Sequence, residues 1–162
     1  MRKEREVKVL VKRVLCPLDF SDNSDHAMRY AAALAQMFGA ELTLLHVVAP
    51  VMAALPGETT LPDTLQADVD ELAAACEERL QQTVGALAAD GLTVQSKVLN
   101  GVPFVEIIRF ARDAETDLIV MGTHGRTGLG HLLIGSVAER VVRKAPCPVL
   151  TVKHPEHEFV MP

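Results

Sequence analysis

Residues 117–136 read DLIVMGTHGRTGLGHLLIGS. An apolar run, Leu118 to Met121, stops at Gly122, and a stretch holding five glycines leads on to Ser136-Val137-Ala138-Glu139. A short continuous apolar run that ends on a turn signal predicts a buried strand. Ser136 three residues ahead of Glu139 matches the capping-box pattern, so Ser136 is expected to cap a helix over Val137–Lys144. Strand, glycine loop and helix together form a βα unit, and the rest of the chain repeats that alternation.

Toward the N-terminus, Val14 to Leu18 is another apolar run, ending at Asp19. Ser21, Asp22, Asn23 and Ser24 are candidate N-caps for a helix whose inner face reads Ala27, Ala31, Leu34, Phe38, with Gly39 as its stop. Leu42–Val48 predicts a second strand. Residues 49–62 carry Pro50, Pro56, Gly57 and Pro62 and read as a mobile loop. Asp63 opens a long helix with Leu65, Val69, Leu72, Cys76, Leu80, Val84 and Leu87 at helical spacing up to Gly91. Thr93–Leu99 predicts a third strand, and Gly101 and Pro103 open a helix with Phe104, Ile107, Ile108 and Ala111 inward. Val149–Val152 is the fifth strand.

Strands that alternate with helices and read as unbroken apolar runs predict a parallel sheet covered on both faces. The expected fold is therefore a single doubly wound, five-stranded α/β domain, Rossmann-like, of strand order 3-2-1-4-5. It should occupy residues 13–153 between tails at 1–12 and 154–162. In such a sheet a ligand lies outside the carboxyl ends of the strands where the order reverses. Here that crevice falls between Asp19 and Gly122.

Composition narrows the function. The chain has 162 residues, 49% hydrophobic and 23% charged, with a formal net charge of -5. An acidic chain without a clustered positive field disfavours nucleic-acid and anionic-membrane partners. No signal-peptide pattern is present, so a cytoplasmic location is expected. Three widely spaced cysteines and six histidines without HxxxH or HExxH spacing indicate neither a disulfide framework nor a protein-held metal.

The glycines exclude two familiar phosphate loops. A P-loop needs GxxxxGK[ST], but after Gly125 and Gly130 come His131 and Leu132, so the phosphate's lysine and the magnesium's hydroxyl are both missing. The dinucleotide fingerprint GxGxxG fails at Leu133 and belongs after a first strand, not a fourth. What remains is Gly122-x2-Gly125-x9-Gly135-Ser136. Gly122 would let a ligand ring lie near the backbone, Gly125 would supply a positive φ, and Gly135 would leave room for a phosphate. A helix N-terminus at Ser136 favours an anion, and Arg126 supplies positive charge.

This stretch resembles the nucleotide-binding signature of the universal stress protein family, G-x2-G-x9-G-[S/T], at every fixed position. The resemblance extends over nearly the whole chain. PLDFSDNSDHAMRYAAALA resembles the family's first strand and helix, LTLLHVV its second strand and APCPVLTVK its last. Asp19, Ser21 and Ser24 match its strand-ending aspartate followed by serines. The resemblance implies an adenine-nucleotide binder, taking ATP or else AMP or ADP, accompanied by a Mg or Mn ion near Asp19. It implies that Pro17 and Asp19 lie at the ribose side and that Val47 presents main-chain groups to the adenine edge. Gly122, Gly125, Arg126, Gly135, Ser136 and Val137 would wrap the ribose and phosphates. The implied role is a stress-response or regulatory protein that senses or sequesters nucleotide.

Two other functions compete. One is an ATPase or phosphotransfer enzyme on the same sheet. Adenylating relatives carry SGGxDS or HxGH, absent here, and Asp19 alone brings a carboxylate to the crevice, so slow hydrolysis at most is expected. The other is a nucleotide-independent interaction module. His124 and His131 read as loop histidines, His46 as a satisfied core histidine and Cys147 as structural. Leu132-Leu133-Ile134 reads as core or partner surface. Val149-Leu150-Thr151-Val152, last in the chain, should form an unprotected sheet edge. The resemblance implies a homodimer through it.

Overall fold

The computed structural model describes residues 10–49, 63–125 and 134–153. Among the described residues nine elements alternate: β1 (Arg13–Leu18), α1 (Asp22–Phe38), β2 (Glu41–Val48), α2 (Asp63–Ala89), β3 (Val94–Asn100), α3 (Pro103–Asp113), β4 (Leu118–Gly122), α4 (Ser136–Lys144) and β5 (Val149–Val152). All four strand pairs are parallel, and the sheet order is β3-β2-β1-β4-β5, as the alternation predicts.

Both faces of the central strands are buried, and the period of two divides their side chains between two cores. Val14, Cys16, Leu18, Leu42, Leu44 and Val120 pack with Ala27, Ala31 and Ala35 of α1 and Leu80 of α2. Leu15, Leu45, Ile119 and Met121 pack on the opposite face with Ile107 and Ala111 of α3 and Ala138 and Val141 of α4. The edge strand β3 departs from the expected continuous run: its residues alternate between half-buried and exposed, because one face is left to solvent.

Two helix faces differ from the sequence reading. The inner stripe of α1 runs Ser24, Ala27, Ala31, Ala35, and Phe38 at its end is 47% exposed. Small alanines let the helix sit close to the sheet, and Gly39 ends it in the left-handed conformation, φ 62°. On α2, Val69, Cys76 and Leu80 are buried while Leu72 is exposed. At about 100° per residue Leu72 lies some 60° off the line through the other three, toward solvent. The expected loop lies outside the described residues from Pro50 to Pro62.

One proline opens the sheet. Glu41 N–H donates to Lys12 O and Asp117 N–H to Arg13 O, so even-numbered β1 residues direct their main chain toward β2 and odd-numbered ones toward β4. Pro17 is odd and has no N–H to give β4. Pairing between β1 and β4 stops at Leu15↔Ile119, whereas β1 stays paired to β2 as far as Leu18↔His46. The two strands part where the strand order reverses.

Cys16 and Cys147 carry thiols whose pKa burial pushes up, for Cys16 with the Asp25 charge adding to it and for Cys147 with Asp117. Burial penalises the thiolate, which is the reactive form. In the native protein at pH 8 both are expected to alkylate more slowly than a free cysteine. Mass mapping of iodoacetamide adducts checks this, with full labelling returning in denaturant.

Candidate functional site

A cavity of about 430 Å3 lies at the carboxyl ends of the strands, between β1 and β4. Such a volume falls in the range of small-molecule sites. Eight of the nine residues singled out in the sequence line it: Pro17 and Asp19 at the end of β1, Val47 on β2, Gly122 and Gly125 after β4, and Gly135, Ser136 and Val137 at the start of α4. Arg126, the ninth, lies outside the described residues.

Asp19 is held by the turn into α1. Ser21 N–H and Ser21 Oγ donate to Asp19 Oδ1 at 3.1 and 2.5 Å. Ser21 Oγ also accepts from Ser24 N–H at 3.3 Å, which makes Ser21 the N-cap of α1. Ser24 Oγ donates to Ser21 O and accepts from Asp19 N–H. The two serines thus bind both ends of the turn and fix the carboxylate, with Oδ2 turned against Gly125.

Val47 follows from strand register. Glu41 N–H bonds the β1 side and Leu42 N–H the β3 side, so odd β2 residues face β1. β1 ends at Leu18, opposite His46. The Val47 carbonyl is therefore directed past the end of β1, on the cavity side.

The glycines are required for reasons only partly those expected. Gly125 does not adopt a left-handed φ. Instead a Cβ there would stand 2.5 Å from Asp19 Oδ2, so the absence of a side chain lets Gly125 lie against the carboxylate. At Gly122 a Cβ would meet the main chain of Asn23 at 3.1 Å, so this glycine admits the first turn of α1. At Gly135 a Cβ would meet Thr123 O at 3.2 Å.

The helix cap is also shifted. Gly135, extended at φ -73° and ψ 155°, is the N-cap of α4, and its carbonyl accepts from Glu139 N–H at 2.9 Å. Ser136 is the first helical residue, and Gly135, the cap, has no side chain to accept from the first turn. The capping box does not form because the extended residue is one position earlier than expected. Among the described residues the first-turn N–H groups of α4 consequently meet the cavity wall without a side-chain cap, the arrangement that favours an anion by about 0.3–2 kcal/mol.

Apolar side chains complete the lining: Leu45, Ile107, Met121 and Ala138. These read in the sequence as ordinary core positions, and only the parting of β1 and β4 brings them to a cavity. His124 also lines it, with Nδ1 3.0 Å from Thr123 Oγ1. His46 is buried, and its Nδ1 donates to Leu18 O at 2.7 Å, as a satisfied core histidine should. Ile134 packs on the second core, while Leu132 and Leu133 lie outside the described residues.

A parallel sheet of this order, with a glycine-walled cavity at its switch point, defines a Rossmann-like α/β domain whose cavity is a candidate ligand site. The chain belongs to the universal stress protein family, whose model matches residues 11–153. It is 39% identical over 150 residues to the universal stress protein MJ0531 of Methanocaldococcus jannaschii, covering 92% of this chain and 86% of that one. Among solved structures it is similar to the universal stress protein UspA from Lactobacillus plantarum, with a TM-score of 0.78, 28% identity, and 90% and 99% of the two chains covered. The universal stress protein from Archaeoglobus fulgidus in complex with dAMP shares the fold, with a TM-score of 0.56, 23% identity, and 89% and 98% covered.

Proposed function

We propose that this chain binds an adenine nucleotide across the switch point, ATP first and AMP or ADP as alternatives, and acts as a stress-response protein that senses or sequesters it. The observation that carries the reading is the convergence of Asp19, Val47, the three signature glycines and the uncapped start of α4 on one cavity. Each part suits a part of the ligand. The apolar wall and the Val47 carbonyl suit a base with an amino group, Asp19 suits sugar hydroxyls, and the α4 N–H groups suit phosphates. A family member of the same fold holds dAMP.

Among the described residues no three His, Cys, Asp or Glu side chains gather to hold a metal. A Mg or Mn ion would therefore ride on the nucleotide's phosphates, with Asp19 the one carboxylate on the described cavity wall. Phosphoryl transfer needs a placed metal and a group that positions the nucleophile, so hydrolysis, where it occurs, is slow. Mass spectrometry of the supernatant after denaturing the purified protein tests binding directly. Stoichiometric ATP, ADP or AMP supports the reading. No released nucleotide, together with no heat on ATP titration, sinks it and leaves an interaction module.

Two substitutions separate the ends of the ligand. Asp19→Ala is expected to weaken ATP and adenosine alike, about tenfold, because it removes a charge-assisted hydrogen bond to the sugar. Arg126→Ala is expected to weaken ATP about tenfold and adenosine hardly at all, because it matches phosphate charge. Identical ligand discrimination in the two variants would place the nucleotide differently.

The proposed assembly is a homodimer through β5. This strand is an edge of the sheet, and Leu150 on it is 39% exposed. Symmetric pairing of two such edges about a two-fold axis is antiparallel and leaves no free edge there.

A further inference from the structure

Phe20 stands between Asp19 and its partner Ser21, and its backbone is left-handed, φ 63°. Among the described non-glycine residues only Glu115 shares a positive φ. An L-residue with a bulky side chain resists this conformation, so something must hold it. The turn it makes is what returns both donors of Ser21 to Asp19 Oδ1. An extended Phe20 would carry Ser21 away and leave the carboxylate free to rotate.

The ring is held from outside the cavity. Phe20 is absent from the cavity wall and packs beside Val48, Val69, Cys76 and Val98. It stacks on the buried His46 ring with centroids 4.5 Å apart, and His46 is itself tied to Leu18 O. The guanidinium carbon of Arg79, on α2, lies 4.3 Å from the Phe20 ring centroid. α2 thus reaches the turn that carries Asp19 through a single aromatic ring.

We infer that Phe20 is a positioning residue for the sugar end of the ligand site, kept left-handed by His46 and Arg79 so that Asp19 stays locked to Ser21, and that Arg79 couples the placement of α2 to ligand affinity. The inference rests on the proposed role of Asp19. Strain held by surrounding contacts beside a ligand site is the pattern expected of a preorganised group.

The test is calorimetric titration of ATP into the full chain and its variants. Phe20→Ala keeps the left-handed penalty and loses the ring, and is expected to weaken ATP about tenfold. Phe20→Gly also loses the ring but removes the penalty, so it should bind more tightly than Phe20→Ala. Arg79→Ala is expected to cost about two- to fivefold, with Arg79→Lys restoring most of it, as a cation over a ring would. In an Asp19→Ala background, Phe20→Ala should cost nothing further, because it acts only through that carboxylate. A wild-type chain that does not bind ATP overturns the proposed function and this inference with it. A wild type that binds, with Phe20→Gly no better than Phe20→Ala or with full additivity to Asp19→Ala, overturns the inference alone and makes Phe20 a packing residue.

Discussion

Gly135→Val is expected to lower ATP affinity by about a hundredfold or more, the equivalent of roughly 3 kcal/mol. Gly135 lines the cavity at the uncapped start of α4, where the phosphates are proposed to lie. Its φ of -73° and ψ of 155° are open to any residue, so the substitution carries no penalty of backbone angle. It does carry one of space. The new Cβ would stand 3.2 Å from Thr123 O, the same carbonyl that accepts Gly135 N–H at 2.6 Å. Thr123 must give by a few tenths of an ångström, and the melting temperature is expected to fall by about 2–4 °C, as for 1 kcal/mol in a chain of this length. Calorimetry and thermal unfolding on the same sample decide the matter. Unchanged affinity would remove Gly135 from the site, and a loss of many degrees would show that it serves the loop first.

Thr151→Pro is expected to convert a dimer into a monomer. Ile119 N–H donates to Pro148 O and Thr123 N–H to Val152 O, so even-numbered residues of β5 face β4. Val149 and Thr151 therefore direct their main-chain N–H and C=O to the free edge. Proline at 151 removes a donor from the proposed seam without removing one from the β4 ladder. The wild type should scatter as about 35 kDa, twice the 17.5 kDa chain, with or without nucleotide. The variant should scatter as one chain and keep its circular dichroism. A monomeric wild type refutes the dimer, and a dimeric variant moves the interface away from β5.

The sheet order and nearly every element were legible in the chain, because local signals and fold agree in a two-faced parallel sheet. Apolar runs such as Val14–Leu18 and Leu42–Val48 can be buried on both sides only in this way. Helix faces were less legible. Leu72 carries the right spacing yet faces solvent, and Ala35 displaces Phe38, because which of two adjacent stripes is buried depends on where the helix crosses the sheet.

The candidate site divides along the same line. Sequence by itself placed the ends of β1 and β4, Asp19 and Gly122, at the switch point, from chain order and the handedness of the crossovers, and the family resemblance supplied the other candidates. Only the tertiary structure decided why they are the residues they are. Gly125 is small because Asp19 Oδ2 lies against it and Gly122 because Asn23 crosses it, contacts between segments about a hundred residues apart that no local pattern encodes. Pro17 is put near the ribose by resemblance, but only register shows its missing N–H turned toward β4 where the cleft opens. Phe20 carries no signal in the sequence, and only the structure shows its backbone left-handed and its ring beneath Arg79. Periodicity reports which side of an element is buried; what lies across from it is set by packing between elements distant in sequence.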